Sequence, residues 1–544
     1  MADRAGPVTG RARVRAGVLP VVGSVGRVAV TRTGIAGVAA TLAVLALTFG
    51  TVAAVLIRAE GGFRLGPQDW AAIRFTLWQA ALSALLSVAL AVPVARALAR
   101  RRFPGRAVLV TLMGAPFILP VIVAVLGLLA VFGRSGWVSQ ALGLIGFDPI
   151  GIYGLHGVIL AHVFFNLPLA TRLILQGWLA IPAERFRLAA TLDATPRDIS
   201  RLLERPMLRA VLPGTFMVIF LICTTSFAVA LTLGGGPRAT TVELAIYHAF
   251  RLDFDLSRAA VLALIQLAMS GAAALIALRI AVPVVTGAGL DRSVRRWDAD
   301  RLALRVIDAL WITLAATFLL TPLAAIAARG LPALADLPVQ VWAAAWRSLW
   351  VAGLSVAVTL VLALAMTLAI VRHPRMGRWM EPVGYLAIAA SPLVIGTGLF
   401  LILFPLTDPV ALALPVTALV NAVMALPFAL RALVPAAAEV ESRFGRLADS
   451  LGMIGTARLT RLTLPRLRRP LGFSAALAGA LSMGDLGVVT LFADPGQATL
   501  PLLLYRLMAA YRMDQAAGVA LLLLGLSLAV FWIFDRGGRV DADV

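Results

Sequence analysis

Leu77-Trp78-Gln79-Ala80-Ala81-Leu82-Ser83 returns as Leu349-Trp350-Val351-Ala352-Gly353-Leu354-Ser355, and the match runs on beyond it. Gly105-Arg106 and Pro120 recur as Gly377-Arg378 and Pro392, all 272 residues later. Further along, Pro168 and Arg172 recur as Pro427 and Arg431, now 259 residues later. The same 259 links Arg187-Leu188-Ala189, Leu192 and Pro206 to Arg446-Leu447-Ala448, Leu451 and Pro465. Register changes once, between Pro120 and Pro168, where the first copy has a longer loop (134–149) than its counterpart (405–408). A repeat that keeps register through two helices and slips in a loop is one ancestral unit used twice.

The chain of 544 residues is 60% hydrophobic and 14% charged, with a mean hydropathy of +0.93. An ordinary soluble domain is about a quarter charged. Here the apolar residues form blocks long enough to cross a bilayer, which takes about 20 residues. Twelve such blocks lie near 34–57, 71–95, 107–132, 151–175, 210–233 and 257–285, then 306–328, 345–371, 383–405, 409–430, 471–492 and 516–534. The reading is an all-α polytopic membrane protein of two homologous six-helix halves. Six spans per half is an even number, so the halves are parallel and meet at an axis along the membrane normal. Proline and glycine interrupt the fourth, ninth and tenth blocks, so their ends are the hardest to place.

Arginine sets the orientation. Arg96, Arg100, Arg101, Arg102 and Arg106 follow the second block, Arg292, Arg295, Arg296, Arg301 and Arg305 separate the halves, and Arg372, Arg375 and Arg378 follow the eighth. Loops rich in positive charge stay in the cytoplasm, which puts both termini inside. The expected division is a cytoplasmic tail (1–33), a first half (34–290) and a second half (291–544). The first apolar block is longer than a signal-peptide core and lacks a convincing cleavage site, so it reads as a retained span.

Composition also excludes. Net charge is +21, yet all 48 basic residues are arginine and they sit at the ends of apolar blocks. Nucleic-acid binding needs an exposed basic face instead. With no lysine, no phosphate-binding loop of the form G-x-x-x-x-G-K-[ST] can exist. Any ATP hydrolysis belongs to another chain. Cys223 is the single cysteine, and His156, His162, His248 and His373 are scattered, so neither a disulfide nor a metal site is expected.

Two long loops interrupt the apolar pattern, at 180–208 and 435–467. The first runs Pro182-Ala183-Glu184-Arg185-Phe186-Arg187-Leu188-Ala189-Ala190-Thr191-Leu192-Asp193 and reaches Pro206. The second runs Glu439-Val440-Glu441-Ser442-Arg443-Phe444-Gly445-Arg446-Leu447-Ala448-Asp449-Ser450-Leu451-Gly452 and reaches Pro465. Alanine and leucine favour a short helix, small side chains allow close seating, and a glycine ends the helix with a turn. One copy alone could be an ordinary amphipathic surface helix. Two at matching positions argue against that.

Each loop resembles the E-A-A-x-x-x-G loop of ABC importer permeases. The resemblance implies that Arg187, Leu188, Ala189, Ala190, Asp193 and Pro206, with Arg446, Leu447, Ala448, Asp449, Gly452 and Pro465, couple the spans to a cytoplasmic ATPase. Two departures stand out: Arg187 and Arg446 occupy the usual glutamate position, and Asp193 replaces the glycine, although aspartate also adopts turn geometry.

Three further stretches resemble the permeases of bacterial thiamine (vitamin B1) importers, within the binding-protein-dependent (type I) class. They are Asn166-Leu167-Pro168-Leu169-Ala170-Thr171-Arg172, Gly234-Gly235-Gly236-Pro237 running into Thr240-Thr241-Val242-Glu243, and Ser482-Met483-Gly484-Asp485-Leu486-Gly487. That resemblance implies an inner-membrane importer subunit without catalytic residues or cofactor of its own. It implies a periplasmic thiamine-binding protein and a homodimeric ATPase that holds ATP and magnesium. Thiamine, and thiamine phosphates with it, are the implied cargo. Fused ferric-iron permeases share the two-half architecture and are the alternative. A secondary transporter fits less well: such carriers place coupling charges within the spans, whereas here mid-span charge is sparse. The candidate pathway residues are Asn166, Ser226, Asn421 and Asp485. For Asp485 two readings stay open, a gate residue between the halves or a carboxylate that caps locally.

Overall fold

A computed structural model describes residues 32–58, 65–114, 118–234, 236, 239–280, 301–389, 391–492 and 494–539. The expected tail lies almost wholly outside these residues, as does the expected boundary at 290–291. Among the described residues every regular element is a helix.

The first half contains α1 (Arg32–Leu45), α2 (Thr51–Arg58), α3 (Pro67–Arg100), α4 (Arg106–Leu112), α5 (Val121–Phe132), α6 (Trp137–Leu144) and α7 (Leu155–Leu179). It continues with α8 (Ala183–Thr191), α9 (Pro196–Ile199), α10 (Arg205–Thr224), α11 (Phe227–Leu233), α12 (Val242–Arg251) and α13 (Leu256–Ile280). The second half contains α14 (Leu302–Ala333), α15 (Val339–Arg372), α16 (Pro374–Ala389), α17 (Pro392–Leu403) and α18 (Ala413–Ser450). It ends with α19 (Gly455–Arg458), α20 (Leu464–Met483), α21 (Gly487–Phe492), α22 (Leu500–Ala509) and α23 (Met513–Arg539).

Eleven helices among the described residues are long and apolar enough to cross a membrane. The ninth expected block, near 383–405, is divided into α16 and α17. Proline explains the division: Pro392 has no N–H to give the preceding turn, and the Ser391 hydroxyl accepts from Leu393 N–H (3.1 Å) to start a new helix. Its counterpart Pro120 likewise stands immediately before α5.

The first span of each half leans on the other half. Gly37 of α1 lies against Ala369 of α15, and α2 crosses α17 where any side chain at Gly398 would put its Cβ 2.5 Å from Thr51. In mirror fashion α14 crosses α5, where a Cβ at Gly127 would lie 2.7 Å from the Pro322 carbonyl oxygen. Small residues at helix crossings let backbones approach, the usual means of association in lipid.

Candidate functional site

The two loops sit at the arginine-rich end of the bundle and are built alike. In the first, α8 ends at a turn where Asp193 adopts φ +50°; in the second, α18 ends where Gly452 adopts φ +64°. The closing hydrogen bonds coincide residue for residue. Ala194 N–H donates to Ala189 C=O (3.0 Å) and Asp193 N–H to Ala190 C=O (3.2 Å); Met453 donates to Ala448 (2.9 Å) and Gly452 to Asp449 (3.1 Å). This six-to-one closure with a left-handed residue is a Schellman cap. Each loop then makes one short helix and a π turn, Ser200–Glu204 or Leu459–Thr463, before the next span. The wider π turn accommodates Pro206 or Pro465, whose ring would crowd an α-helical carbonyl one turn back.

On each loop helix a leucine pair one turn apart faces outward. Leu188 and Leu192 are 61% and 72% exposed, and their counterparts Leu447 and Leu451 are 56% and 65% exposed. Arg187, Arg446 and Asp449 are exposed too, while Ala189 and Ala190 are half-buried. Ala448 is 2% exposed and turned into the protein. The small residues thus seat the helix against its own chain, and the outward surface is the leucine pair.

Behind these faces the two copies differ. Phe186 and Ile199 are buried under the first helix. Adding 259 to their numbers gives Gly445 and Arg458 under the second. Gly445 leaves room for the Arg458 guanidinium, which binds Glu441 and Asp449 and reaches the Gly445 carbonyl (3.4 Å). One copy is braced by apolar volume, the other by charge. The lead-in differs as well: Pro182 separates α7 from α8, whereas Glu441 at the matching position lets α18 run unbroken for 38 residues.

Within the bundle, the fifth span of each half breaks at the same point. Ser226 stands between α10 and α11, and its counterpart Asp485 (226 + 259) between α20 and α21. The break frees carbonyls, and glutamines reach them: Gln79 donates to Cys223 C=O (2.9 Å) and Gln266 to Thr224 C=O (3.0 Å). Asp485 Oδ1 accepts from Gly487 N–H (3.1 Å), while Oδ2 is buried without a hydrogen-bond partner. A Cβ on Gly487 would lie 3.7 Å from Phe227 and one on Gly484 3.2 Å from Pro120, both in the first half. Asp485 therefore caps locally and also lies at the meeting of the halves.

Asn421 donates to the Ser482 hydroxyl (3.1 Å). Asn166 donates to His162 C=O (2.8 Å) and to Cys223 Sγ (3.4 Å). The true counterpart of Asn421 is His162, which meets Ser83 (3.2 Å) and which sequence reading passed over. The 259-residue offset was the signal that could have found it. The turn at 234–238 falls partly outside the described residues. Beyond it Glu243, also missed, is 1% exposed, with the Ser391 side chain the polar neighbour of its buried carboxyl.

The chain is 42% identical over 481 residues to the thiamine transport system permease protein of Salmonella typhimurium, covering 86% of this chain and 89% of that one. It is 40% identical over 504 residues to the protein of the same name in Brucella abortus, covering 90% and 92%. The chain belongs to the thiamine transport system permease family. A molybdenum transport system permease protein of Azotobacter vinelandii matches 34% of this chain but 80% of its own length, at 28% identity. That places the thiamine permease family within the type I importer permeases. No protein-family model matches the chain. As a thiamine-family permease the chain is a transport subunit and a multi-pass protein of the inner membrane.

Proposed function

We propose that this chain translocates thiamine from periplasm to cytoplasm as the membrane subunit of an ATP-driven importer. A separate cytoplasmic ATPase, a homodimer holding ATP and magnesium, docks on Leu188 and Leu192 at one site and Leu447 and Leu451 at the other. A periplasmic thiamine-binding protein delivers cargo at the opposite end, and both termini lie in the cytoplasm. Asn166, Ser226, Asn421 and Asp485 line or shape the route between the halves.

The observation that carries this reading is the doubled coupling unit, with the same cap, the same π turn and the same outward leucine pair in each half. A carrier driven by an ion gradient has no use for two such surfaces. The kinship with thiamine permeases over most of the chain supports the cargo. Thiamine is a cation, and a route with Asp485 and few other fixed charges suits it. The test is uptake of labelled thiamine and labelled ferric iron by cells with and without this gene. Deletion should abolish thiamine uptake, with thiamine phosphates assayed alongside, and leave iron unchanged. Loss of iron uptake with thiamine intact would sink the cargo assignment and leave the importer fold standing.

A further inference from the structure

The arginine-rich end of α3 carries Arg96 and Arg100, with Arg101 directly after it, and two buried carboxylates from different parts of the chain converge on them. Glu204 comes from the π turn behind the first coupling helix, and Asp308 comes from α14, the first span of the other half. Glu204 Oε2 lies 2.6 Å from Arg96 Nη2, and its Oε1 lies 3.7 Å from Arg100 Nη2. The second Arg100 nitrogen, Nη1, lies 3.7 Å from Asp308 Oδ1, and Asp308 Oδ2 accepts from Arg101 Nε at 2.7 Å. Arg100 thus stands between a carboxylate of the coupling loop and a carboxylate of the opposite half.

The repeat shows that this arrangement is not demanded by the fold. At the matching positions the second half has Leu368, Arg372 and His373, with Thr463 in place of Glu204. There the other first span crosses by apolar packing, Gly37 against Ala369. Burying charge is costly unless every group is paired, so an apolar crossing would be the simpler solution on both sides. What an ionic crossing adds is reach. Contact packing is lost within a fraction of an ångström, whereas charge attraction between long arginine side chains falls off slowly with distance. The pairing can therefore hold while the elements shift past one another.

We infer that Glu204, Arg100 and Asp308 are positioning residues that carry movement of the first coupling loop to the first span of the other half. The first loop thereby acts on both halves, while the second, braced by Arg458 within its own half, acts on one. This rests on the ATPase-docking role proposed above.

The experiment uses the complete transporter, with its ATPase and binding protein, in proteoliposomes, and reads ATP hydrolysis and thiamine imported per ATP separately. Asp308→Asn and Glu204→Gln should keep the ATPase bound and hydrolysing yet lower thiamine per ATP by about fivefold or more, the scale of an ordinary coupling free energy. Asp308→Glu should retain wild-type behaviour. Asp308→Arg should fail, and joining it to Arg101→Asp should restore transport. Unchanged thiamine per ATP in Asp308→Asn overturns the inference. So does a parallel fall in hydrolysis, transport and assembly that charge exchange does not repair, because that marks a merely structural pair. A wild-type chain that binds no ATPase overturns the docking role itself, a result distinct from both.

Discussion

Asp193 holds the same left-handed turn as Gly452, at φ +50° against +64°. An L side chain there costs about 1 kcal/mol relative to glycine, less for aspartate than for most residues. A β-branched side chain is the worst fit. Gly452→Val should therefore strain the cap, shift the leucine pair and cut thiamine uptake severalfold, whereas Asp193→Gly should leave uptake at wild-type level. Equal uptake by both variants would show that the turns do not position the docking faces. Glu243 makes the second argument at this scale. It lies on α12, outside the spans, and burial pushes its carboxyl from the ordinary range up to about 8. The folded state therefore holds a proton that the unfolded chain releases near its ordinary value of 4.5. Stability from this group is complete below the unfolded value and falls as pH rises towards the folded one, by about 1.4 kcal/mol per unit. Glu243→Gln should remove that slope. Thermal unfolding at pH 5 and pH 8 should show a wild-type loss that the variant lacks, and matching slopes would refute it.

At the scale of elements, the coupling units solve one packing problem in two ways. Phe186 with Ile199 fills the first; Gly445 with Arg458, Glu441 and Asp449 fills the second. In the second unit a Cβ at Gly445 would already stand 3.0 Å from Glu441 Oε1 and 3.4 Å from Arg458 Nη2. Gly445→Phe should therefore overpack, costing roughly 1–3 kcal/mol, and Arg458→Ile should cost about 1 kcal/mol through its lost hydrogen bonds, because the half-buried Glu441 and the exposed Asp449 are then met by water. Together they rebuild the first unit's core, and the double variant should be more stable than the sum of the two losses. Thermal unfolding of the four proteins in detergent measures this, and strict additivity would count against a shared core. These elements were only partly legible in the sequence. The turn at Gly452 and its stand-in at Asp193 follow from residue type and spacing. The unbroken α18 does not, because Pro427 and Pro435 lie within it. Prolines are tolerated in membrane helices when neighbours satisfy the freed groups, and a single sequence does not show its neighbours. The inward turn of Ala448 was hidden for the same reason.

Across the whole molecule, the doubling was readable because register is arithmetic, while the exchange of first spans was not, because it is a matter of which helix lies beside which. The repeat reappears as matched contacts, in which the hydroxyls keep the 272-residue offset and the amides stand 258 residues apart. Val242 N–H donates to Thr76 Oγ1 at 2.9 Å, and Leu500 N–H donates to Ser348 Oγ at 2.9 Å. Thr76 and Ser348 differ by 272, so even the hydroxyls that pin the outer helices were preserved in both copies. The same three-dimensional view bears on orientation. Arg96 and Arg100 gather with the first loop through Glu204, Arg458 braces the second, and Arg468 Nε donates to Gly537 C=O (3.1 Å) at the end of the last span. Arginines scattered along the chain thus share one end of the bundle. Retention of positive loops in the cytoplasm then acts on all of these arginines in the same sense. Alkaline phosphatase fused after Arg106, Arg305 or Arg536 should be inactive at all three positions, because that enzyme folds only outside the cytoplasm. Fused in the loop after α6, near Phe147, it should be active. Activity at any of the three arginine sites would turn the ATPase-docking faces away from ATP and undo the proposed mechanism along with the topology.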